Sequence, residues 1–239
     1  MINEKQPVEF QERIRDNYPL LQVTVEQQQQ ISLAIGAKET PPPPRIWQSE
    51  AAKNHQFSSM DEKWHINLTS TFLALSTSNY DRWENFIQQL EEPLSALSEI
   101  YRPHFFERIG LRYVDLFKRS TLDLHGTDWT ELIEPFVLGF MSNAEIKKDV
   151  RNQSSFVELN IGNGAIAQIN IGKGFVGDIF NPSTASNEES FIVDSDMYMT
   201  HKKIDELHDS LNYLHDHSTR LIRAIITPKL HEAMEPSPL

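Results

Sequence analysis

Two arginines and two aspartates are the residues of this chain whose spacing points most directly to chemistry. Arg108 and Arg112 occupy even positions of segment 105–117, FFERIGLRYVDLF, whose odd positions are mostly apolar. This alternation predicts a β-strand that buries one face and holds both guanidinium groups on the other, about 13 Å apart along the strand. Asp194 and Asp196 alternate with apolar residues in the same way near the end of the chain. We expect the four charged groups to share one polar sheet face, where they could bind a polar ligand or a partner's charged segment.

Polar residues at matching positions of other predicted strands extend this candidate surface. The predicted ligand-binding set is Arg108, Arg112, Asp194, Asp196, Asn67 and Glu158. Two interpretations fit this set: a binding surface, or a solvated sheet face that carries cross-strand ion pairs, because antiparallel sheets often leave one face in water.

The Asp194-Ser195-Asp196 triplet supports an alternative hypothesis. Two carboxylates on one face of a strand can hold Mg²⁺ in a transferase or a hydrolase. A nucleotidyltransferase would also need a Gly-Ser turn that opens a helix shortly upstream, and segment 177–190, GDIFNPSTASNEES, predicts no helix. Pairing of the two aspartates with Arg108 or Arg112 is therefore favoured, and metal-dependent catalysis is kept as the alternative.

Other motifs that carry chemistry are missing from the sequence. His208 and His215 are seven residues apart on the predicted last helix, whereas helical metal ligands stand four apart, so we expect both to flank the buried stripe. The chain contains no nucleophile elbow, no zinc-protease motif, no Walker A motif and no dinucleotide fingerprint. We therefore predict no catalytic residue, no metal and no cofactor, although the sequence leaves enzymatic activity open.

Composition narrows the class of protein. The 239 residues are 39% hydrophobic and 23% charged, which is typical of a folded globular protein. A formal net charge of -12 argues against general binding to nucleic acid, which needs clustered Lys and Arg. Cysteine is absent, and no stretch has the roughly 18 apolar residues of a membrane span or an N-terminal signal. We expect a cytoplasmic protein with no membrane contact.

Periodicity predicts a mixture of helices and strands. Predicted helices cover 7–18, 81–101, 128–133 and 202–227, and predicted strands lie within 21–35 and at 45–50, 63–77, 105–117, 155–161, 165–171 and 191–199. Pro93 predicts a kink or a break in the second helix. Gly162-Asn163-Gly164 predicts a tight hairpin turn because each of these residues tolerates positive φ.

The order of these elements suggests an internal duplication. We predict an α+β fold of two similar β-α-β-β-β-α halves, 1–101 and 102–239, in which the first half lacks its opening strand. The halves would form one antiparallel sheet with two long helices packed on one face, leaving a cleft between helices and sheet. The alternative is two halves that look alike because α+β domains have few element orders.

Segment 108–115, RIGLRYVD, resembles the signature R-I-G-L-R-Y-[IV]-N of a sporadically distributed prokaryotic family of conserved hypothetical proteins. The resemblance extends to segments 73–86, 191–198 and 214–232. It implies a two-half α+β protein of unassigned function and supplies no catalytic residue. Asp115 stands where the family has Asn, and the family's extra first strand, of the type P-x-V-E-V, is missing. A sheet edge left open in this way would pair with a second chain, so we expect a homodimer.

These observations favour a non-catalytic cytoplasmic module. We expect it to bind a protein partner or a small polar ligand through the polar sheet face or through the helix–sheet cleft.

Overall fold

The computed structural model describes residues 7–25, 53–175 and 188–234, which fall into two compact units. Unit 1 contains residues 7–25 and 53–104, and unit 2 contains residues 105–175 and 188–234. Each unit has helices and a four-stranded antiparallel sheet, which confirms the predicted α+β class. None of the described helices is long and apolar enough to cross a membrane.

Unit 1 is a four-stranded meander between two helices. Its elements are α1 (Val8–Ile14), β1 (Leu20–Val25), β2 (Lys53–Ser58), β3 (Trp64–Leu68), β4 (Leu73–Thr77) and α2 (Trp83–Tyr101). The sheet order is β1-β2-β3-β4. Its buried core consists of Phe10, Ile14, Tyr18, Phe57, Ile66, Leu68 and Ala96. The helix ends at Ile14, earlier than the predicted 7–18, and a turn in which the Tyr18 N–H donates to the Ile14 carbonyl at 2.8 Å brings Tyr18 into the same core.

Segment 63–77 is a β-hairpin and not the single strand that alternation predicted. Thr69 turns the chain, because its Oγ1 accepts hydrogen bonds from the backbone N–H groups of Thr71 and Phe72, both at 3.1 Å. The turn places Leu73 opposite Leu68. This explains why the apolar positions change from even to odd within the segment.

Helix α2 runs through Pro93 without dividing into two helices. Pro93 is buried in the helix, and the Gln89 carbonyl, which loses its usual helical donor at Pro93, lies 3.1 Å from the Tyr18 hydroxyl. The predicted strand at 45–50 lies outside the described residues.

Unit 2 places its first strand beside its last. The strands are β5 (Phe105–Phe117), β6 (Ser154–Gly162), β7 (Ala165–Phe175) and β8 (Glu189–Lys203), in the order β5-β8-β7-β6. Its helices are α3 (Pro135–Leu138), α4 (Leu207–Ile225) and α5 (Pro228–Ala233), and three-residue 3₁₀ turns cover Trp129–Glu131, Lys147–Asp149 and Ile204–Glu206. The hairpin between β6 and β7 has the predicted positive φ at Gly162, Asn163 and Gly164, +89°, +50° and +74°.

The odd-numbered side chains of β5, β7 and β8 form the core of unit 2. Helix α4 packs on β5 and β8. The buried strand residues include Ile109, Leu111, Phe117, Ala167, Ile169, Val193, Met197 and Met199, and α4 contributes Leu207, Leu211, Leu214 and Ile225. These side chains fill the space between helix and sheet, where the sequence had suggested a cleft.

The junction between α4 and α5 is tied to the segment after β5. Ile133 forms an isolated antiparallel bridge with Ile226, and the backbone N–H of Thr227 donates to the carbonyl of Leu132 at 2.9 Å. All four side chains of Leu132, Ile133, Ile226 and Leu230 are buried. The junction between α4 and α5 therefore packs on the segment that connects β5 to β6, and both contribute buried side chains to unit 2.

The strands form two separate sheets, whereas the sequence predicted one shared sheet. Each unit contains a three-stranded meander followed by a 19-residue helix: β2, β3, β4 and α2 in unit 1, and β6, β7, β8 and α4 in unit 2. The fourth strand differs, because β1 lies beside the first strand of its meander and β5 lies beside the last. Duplication of the halves 1–101 and 102–239 stays a prediction.

Candidate binding face on the second sheet

The even-numbered side chains of unit 2 place the two arginines and the two aspartates together, on the face of the sheet away from α4. We call Arg108, Arg112, Asp194 and Asp196 the paired-charge face. Strand β5 pairs with β8 so that Arg112 stands opposite Asp196 and Gly110 stands opposite Tyr198. The sequence predicted these four residues on one face, and the register brings them into contact.

Arg112 forms a two-point ion pair with Asp194. Its Nε donates to Oδ1 at 2.7 Å, and its Nη2 donates to Oδ2 at 2.8 Å. The Asp194 side chain is only 8% exposed, whereas that of Arg112 is 44% exposed. The hydrogen bonds to Asp194 are the main cause that raises the pKa of Arg112, so the guanidinium stays charged. The parallel hydrogen bonds fix the direction of both side chains.

Arg108 forms a second ion pair by lying along the strand. Its Nη2 donates to both carboxylate oxygens of Asp196, at 2.7 and 2.8 Å. The guanidinium carbon also lies 4.6 Å from the ring centroid of Tyr198, a cation–π contact. A Cβ built on Gly110 would lie 2.8 Å from Nη1 of Arg108, so the absence of a side chain at position 110 makes room for this arrangement.

Glu158 lies on the same face at the far strand, and Asn67 does not. Gln168 stands opposite both Asp196 and Glu158, and its Nε2 donates to Oε2 of Glu158 at 2.9 Å. A row of polar side chains therefore crosses the sheet from Arg112 to Glu158. Asn67 belongs to β3 of unit 1, where its Oδ1 accepts from Asn54 Nδ2 at 3.1 Å. Asn67 therefore belongs to the sheet of unit 1, whereas the residues of the paired-charge face all belong to the sheet of unit 2.

Exposed apolar side chains lie on the same face of the sheet as the ion pairs and were not among the residues predicted for it. Phe156 on β6 is 62% exposed, and Val114 and Leu116 on β5 are 41% and 40% exposed. All three occupy even positions of strands whose odd positions face the core, so alternation could have identified them. The face is thus a mixture of fixed charges and apolar surface.

This geometry gives both aspartates cationic partners from the protein itself. A metal ion would have to displace the guanidinium groups from the carboxylates of Asp194 and Asp196, which each accept two charge-assisted hydrogen bonds. Among residues 7–25, 53–175 and 188–234, no group of three or more His, Asp or Glu side chains is arranged to hold a metal ion.

The opposite face of the sheet holds titratable groups near α4. Nδ1 of His215 lies 3.1 Å from the hydroxyl of Tyr113 on β5, which places this histidine beside the buried stripe as the sequence predicted. Two residues farther along β5, burial raises the pKa of Asp115 from 3.8 to about 6. Asp115 is the residue that departs from the family signature, and the sequence predicts no role for it.

Comparison of the chain with family models, with curated proteins and with solved structures finds no match.

Proposed function

We propose that this chain is a non-catalytic binding module that docks a partner protein on the paired-charge face and on the apolar residues beside it. The observation that carries the proposal is the combination of two-point arginine–carboxylate pairs with Phe156, which is 62% exposed, on one sheet face. Arginine and aromatic residues are enriched in protein interfaces and in their energetic hot spots.

The fixed ion pairs would lower the cost of binding. Each guanidinium has five N–H donors, and Arg112 uses two of them on Asp194. The remaining donors can reach backbone carbonyls or carboxylates of a partner while the side chain keeps its position. A partner that covers the face would find the charges already neutralised in pairs, so no unpaired charge is buried.

Site-specific photo-crosslinking in cells tests this proposal. A benzoylphenylalanine at position 156 places the reactive group on the paired-charge face. The matched control carries it at position 159 of the same strand, because Leu159 is 37% exposed and points to the opposite side of the sheet. We expect a discrete crosslinked product at 156 that is weak or missing at 159.

Substitution of the ion pair then links the crosslink to the charges. Arg112→Ala combined with Asp194→Ala should reduce the crosslink at position 156 about tenfold or more, as truncation of an interface hot spot does. A crosslink of equal yield at 156 and 159, or one that the double substitution leaves unchanged in a folded protein, contradicts the proposal. Stabilisation of the chain by Mg²⁺ or Mn²⁺ in a thermal-shift assay would favour the metal-dependent alternative.

Self-association through a sheet edge is a second element of the proposal. In the described part of unit 1, β4 is hydrogen-bonded to β3 alone and forms the end of its sheet. A second copy could pair with this edge, because its N–H and C=O groups are arranged for another strand. Light scattering after size-exclusion chromatography should give about twice the chain mass of 27.6 kDa. A constant mass of one chain over the accessible concentration range would contradict the dimer.

We also propose a cytoplasmic location and membership of the prokaryotic family with the R-I-G-L-R-Y-[IV]-N signature. Segment 108–115 supports the membership, and the composition supports the location. Fractionation of cells that express the tagged chain tests the location. Recovery in the membrane or extracellular fraction would contradict it.

A further inference from the structure

Unit 1 contains a groove whose lining is almost entirely polar. The groove lies between β3 and the beginning of α2, is open to solvent on one side and has a cavity volume of about 200 Å³. Its lining residues are Trp64, Asn79, Asp81, Asn85, Gln88 and Gln89. Four of the six carry carboxamides, one carries a carboxylate and one carries an indole. None of these side chains takes part in the paired-charge face, which belongs to unit 2.

Hydrogen bonds hold part of this lining in place. The backbone N–H of Arg82 donates to Oδ1 of Asp81 at 2.6 Å, and the amide of Asn85 donates to the other oxygen. The hydroxyl of Tyr18, which is buried, shares its one proton between Oε1 of Gln89 at 3.0 Å and the backbone carbonyl of Gln89 at 3.1 Å. Burial raises the pKa of Tyr18, so this phenol stays protonated and keeps its role as donor. The groove therefore has a positioned acceptor and a positioned amide before any ligand enters.

An aromatic cluster adjoins the amides. The rings of Trp64 and Phe86 lie 6.0 Å apart between centroids, and Trp83 stacks on Phe86 at 6.0 Å with an interplanar angle of 15°. Tyr80 lies 6.1 Å from Phe86 and is 41% exposed. Trp64 belongs to both the cluster and the groove. An apolar aromatic surface and a row of hydrogen-bonding groups thus meet at one place.

The lining chemistry selects against charged anions and against purely apolar ligands. Among the residues that the structure describes, no Lys, Arg or His lines the groove, so a phosphate or a carboxylate would meet Asp81 without a compensating cation. A carboxamide offers two donors and one acceptor oxygen, which matches a hydroxyl that both donates and accepts. A ligand with many hydroxyls and an apolar C–H face would satisfy the amides and cover the indole at once.

We propose that the groove binds a neutral saccharide, with its hydroxyls on the amides and Asp81 and its C–H face on Trp64. Asp81 stays ionised, because the hydrogen bond from Arg82 N–H and that from Asn85 lower its pKa, so it accepts from sugar hydroxyls. The carboxylate oxygens have acceptor capacity beyond the hydrogen bonds already formed. This assignment is independent of the proposed docking face.

A glycan array with neutral and acidic glycans, probed with the full chain, tests the proposal. We expect binding to a subset of the neutral glycans. The best neutral glycan is then titrated in soluble form by isothermal calorimetry against Gln88→Ala, Trp64→Phe and Glu84→Ala. Gln88 is exposed, so its substitution leaves the core intact, and Glu84 is a matched control that is exposed on the same helix outside the groove.

Gln88→Ala should weaken binding about three- to tenfold, the effect of one lost hydrogen bond, whereas Glu84→Ala should stay within about twofold of the parent chain. Trp64→Phe should also weaken binding, because the smaller ring covers less of the sugar. Three results would overturn the proposal: no neutral glycan binds above background, only acidic glycans bind, or Gln88→Ala and Glu84→Ala bind the soluble glycan equally well.

Discussion

Removing the Arg112 guanidinium should destabilise unit 2 more than removing that of Arg108. Arg112→Met keeps much of the apolar stem but leaves the carboxylate of Asp194, which is 8% exposed, without its cationic partner. Loss of one partner of a fully buried pair costs about 3–5 kcal/mol. Because the Arg112 side chain is 44% exposed, water reaches part of the site, and we expect a smaller loss of about 2 kcal/mol. The Asp196 side chain is 34% exposed, so Arg108→Met should cost less than about 1 kcal/mol.

Amide hydrogen exchange in peptides from β5 and β8 reports this loss within unit 2 alone. A decrease of about 2 kcal/mol corresponds to roughly thirtyfold faster exchange of the most protected amides. Adding Asp194→Asn to Arg112→Met should recover at least half of the loss, because a neutral amide is easier to bury than an unpaired carboxylate.

Two results would refute this reasoning. One is an equal acceleration of exchange in Arg112→Met and Arg108→Met, which would mean that burial of the carboxylate does not set the cost. The other is a double variant as unstable as Arg112→Met, which would mean that the unpaired charge is not the cause.

Three further substitutions probe separate features of unit 2. Gly110→Ala should displace the flexible Arg108 guanidinium, because the new Cβ would lie 2.8 Å from its Nη1. The substitution should lower the free energy of unfolding by less than about 1 kcal/mol. Arginine side-chain NMR signals would show the altered environment of Arg108. Asp115→Asn should raise the melting temperature near neutral pH. The folded pKa of about 6 exceeds the ordinary 3.8, so ionisation removes up to about 3 kcal/mol of stability as the pH rises from about 4 to above 6. Gly162→Ala should cost about 2 kcal/mol in urea unfolding, because φ is +89° and the new Cβ would lie 2.9 Å from the Tyr213 hydroxyl.

Each of these predictions has a contrary outcome. Unchanged Arg108 signals in Gly110→Ala would show that the strand tolerates a methyl group beneath the guanidinium. A gain in melting temperature for Asp115→Asn that is as large at about pH 4 as at about pH 7 would exclude ionisation as its cause. A neutral Gly162→Ala substitution would mean that the turn relaxes without loss.

Local periodicity was enough to predict the sides of the strands in unit 2. A period of two places Arg108 and Arg112 on one side of β5 and the two aspartates on one side of β8, and opposite charges on one face favour ion pairs. The particular pairs were not predictable, because they depend on β5 lying next to β8 and on the register between residues about 80 positions apart.

The predictions that differ from the structure failed for two kinds of reason, one in the local sequence and one in the long-range pairing of strands. The turn at Thr69 contains no Gly, Pro or Asn, but the run Thr69-Ser70-Thr71 is a loop signal that could have divided segment 63–77 into two strands. Asn67 was grouped with the charged residues because alternation gives the side of a strand but not the sheet to which the strand belongs. Alternation gives the side of β6 on which Phe156 lies, but the extent of its exposure also depends on β6 forming the edge of the sheet, which only the strand order shows.

The pairing of β5 with β8 has a consequence for synthesis on the ribosome. Arg112 and Asp194 are 82 positions apart. At a synthesis rate of about 5–20 residues per second, β8 is therefore made roughly 4 to 16 s after β5, the strand with which it pairs. During that time Ile109, Leu111 and Phe117 form an uncovered apolar stripe on a nascent segment that could aggregate. The two arginines put positive charge on the opposite face of the same strand, which discourages wrong pairing until the carboxylates of β8 emerge to neutralise them.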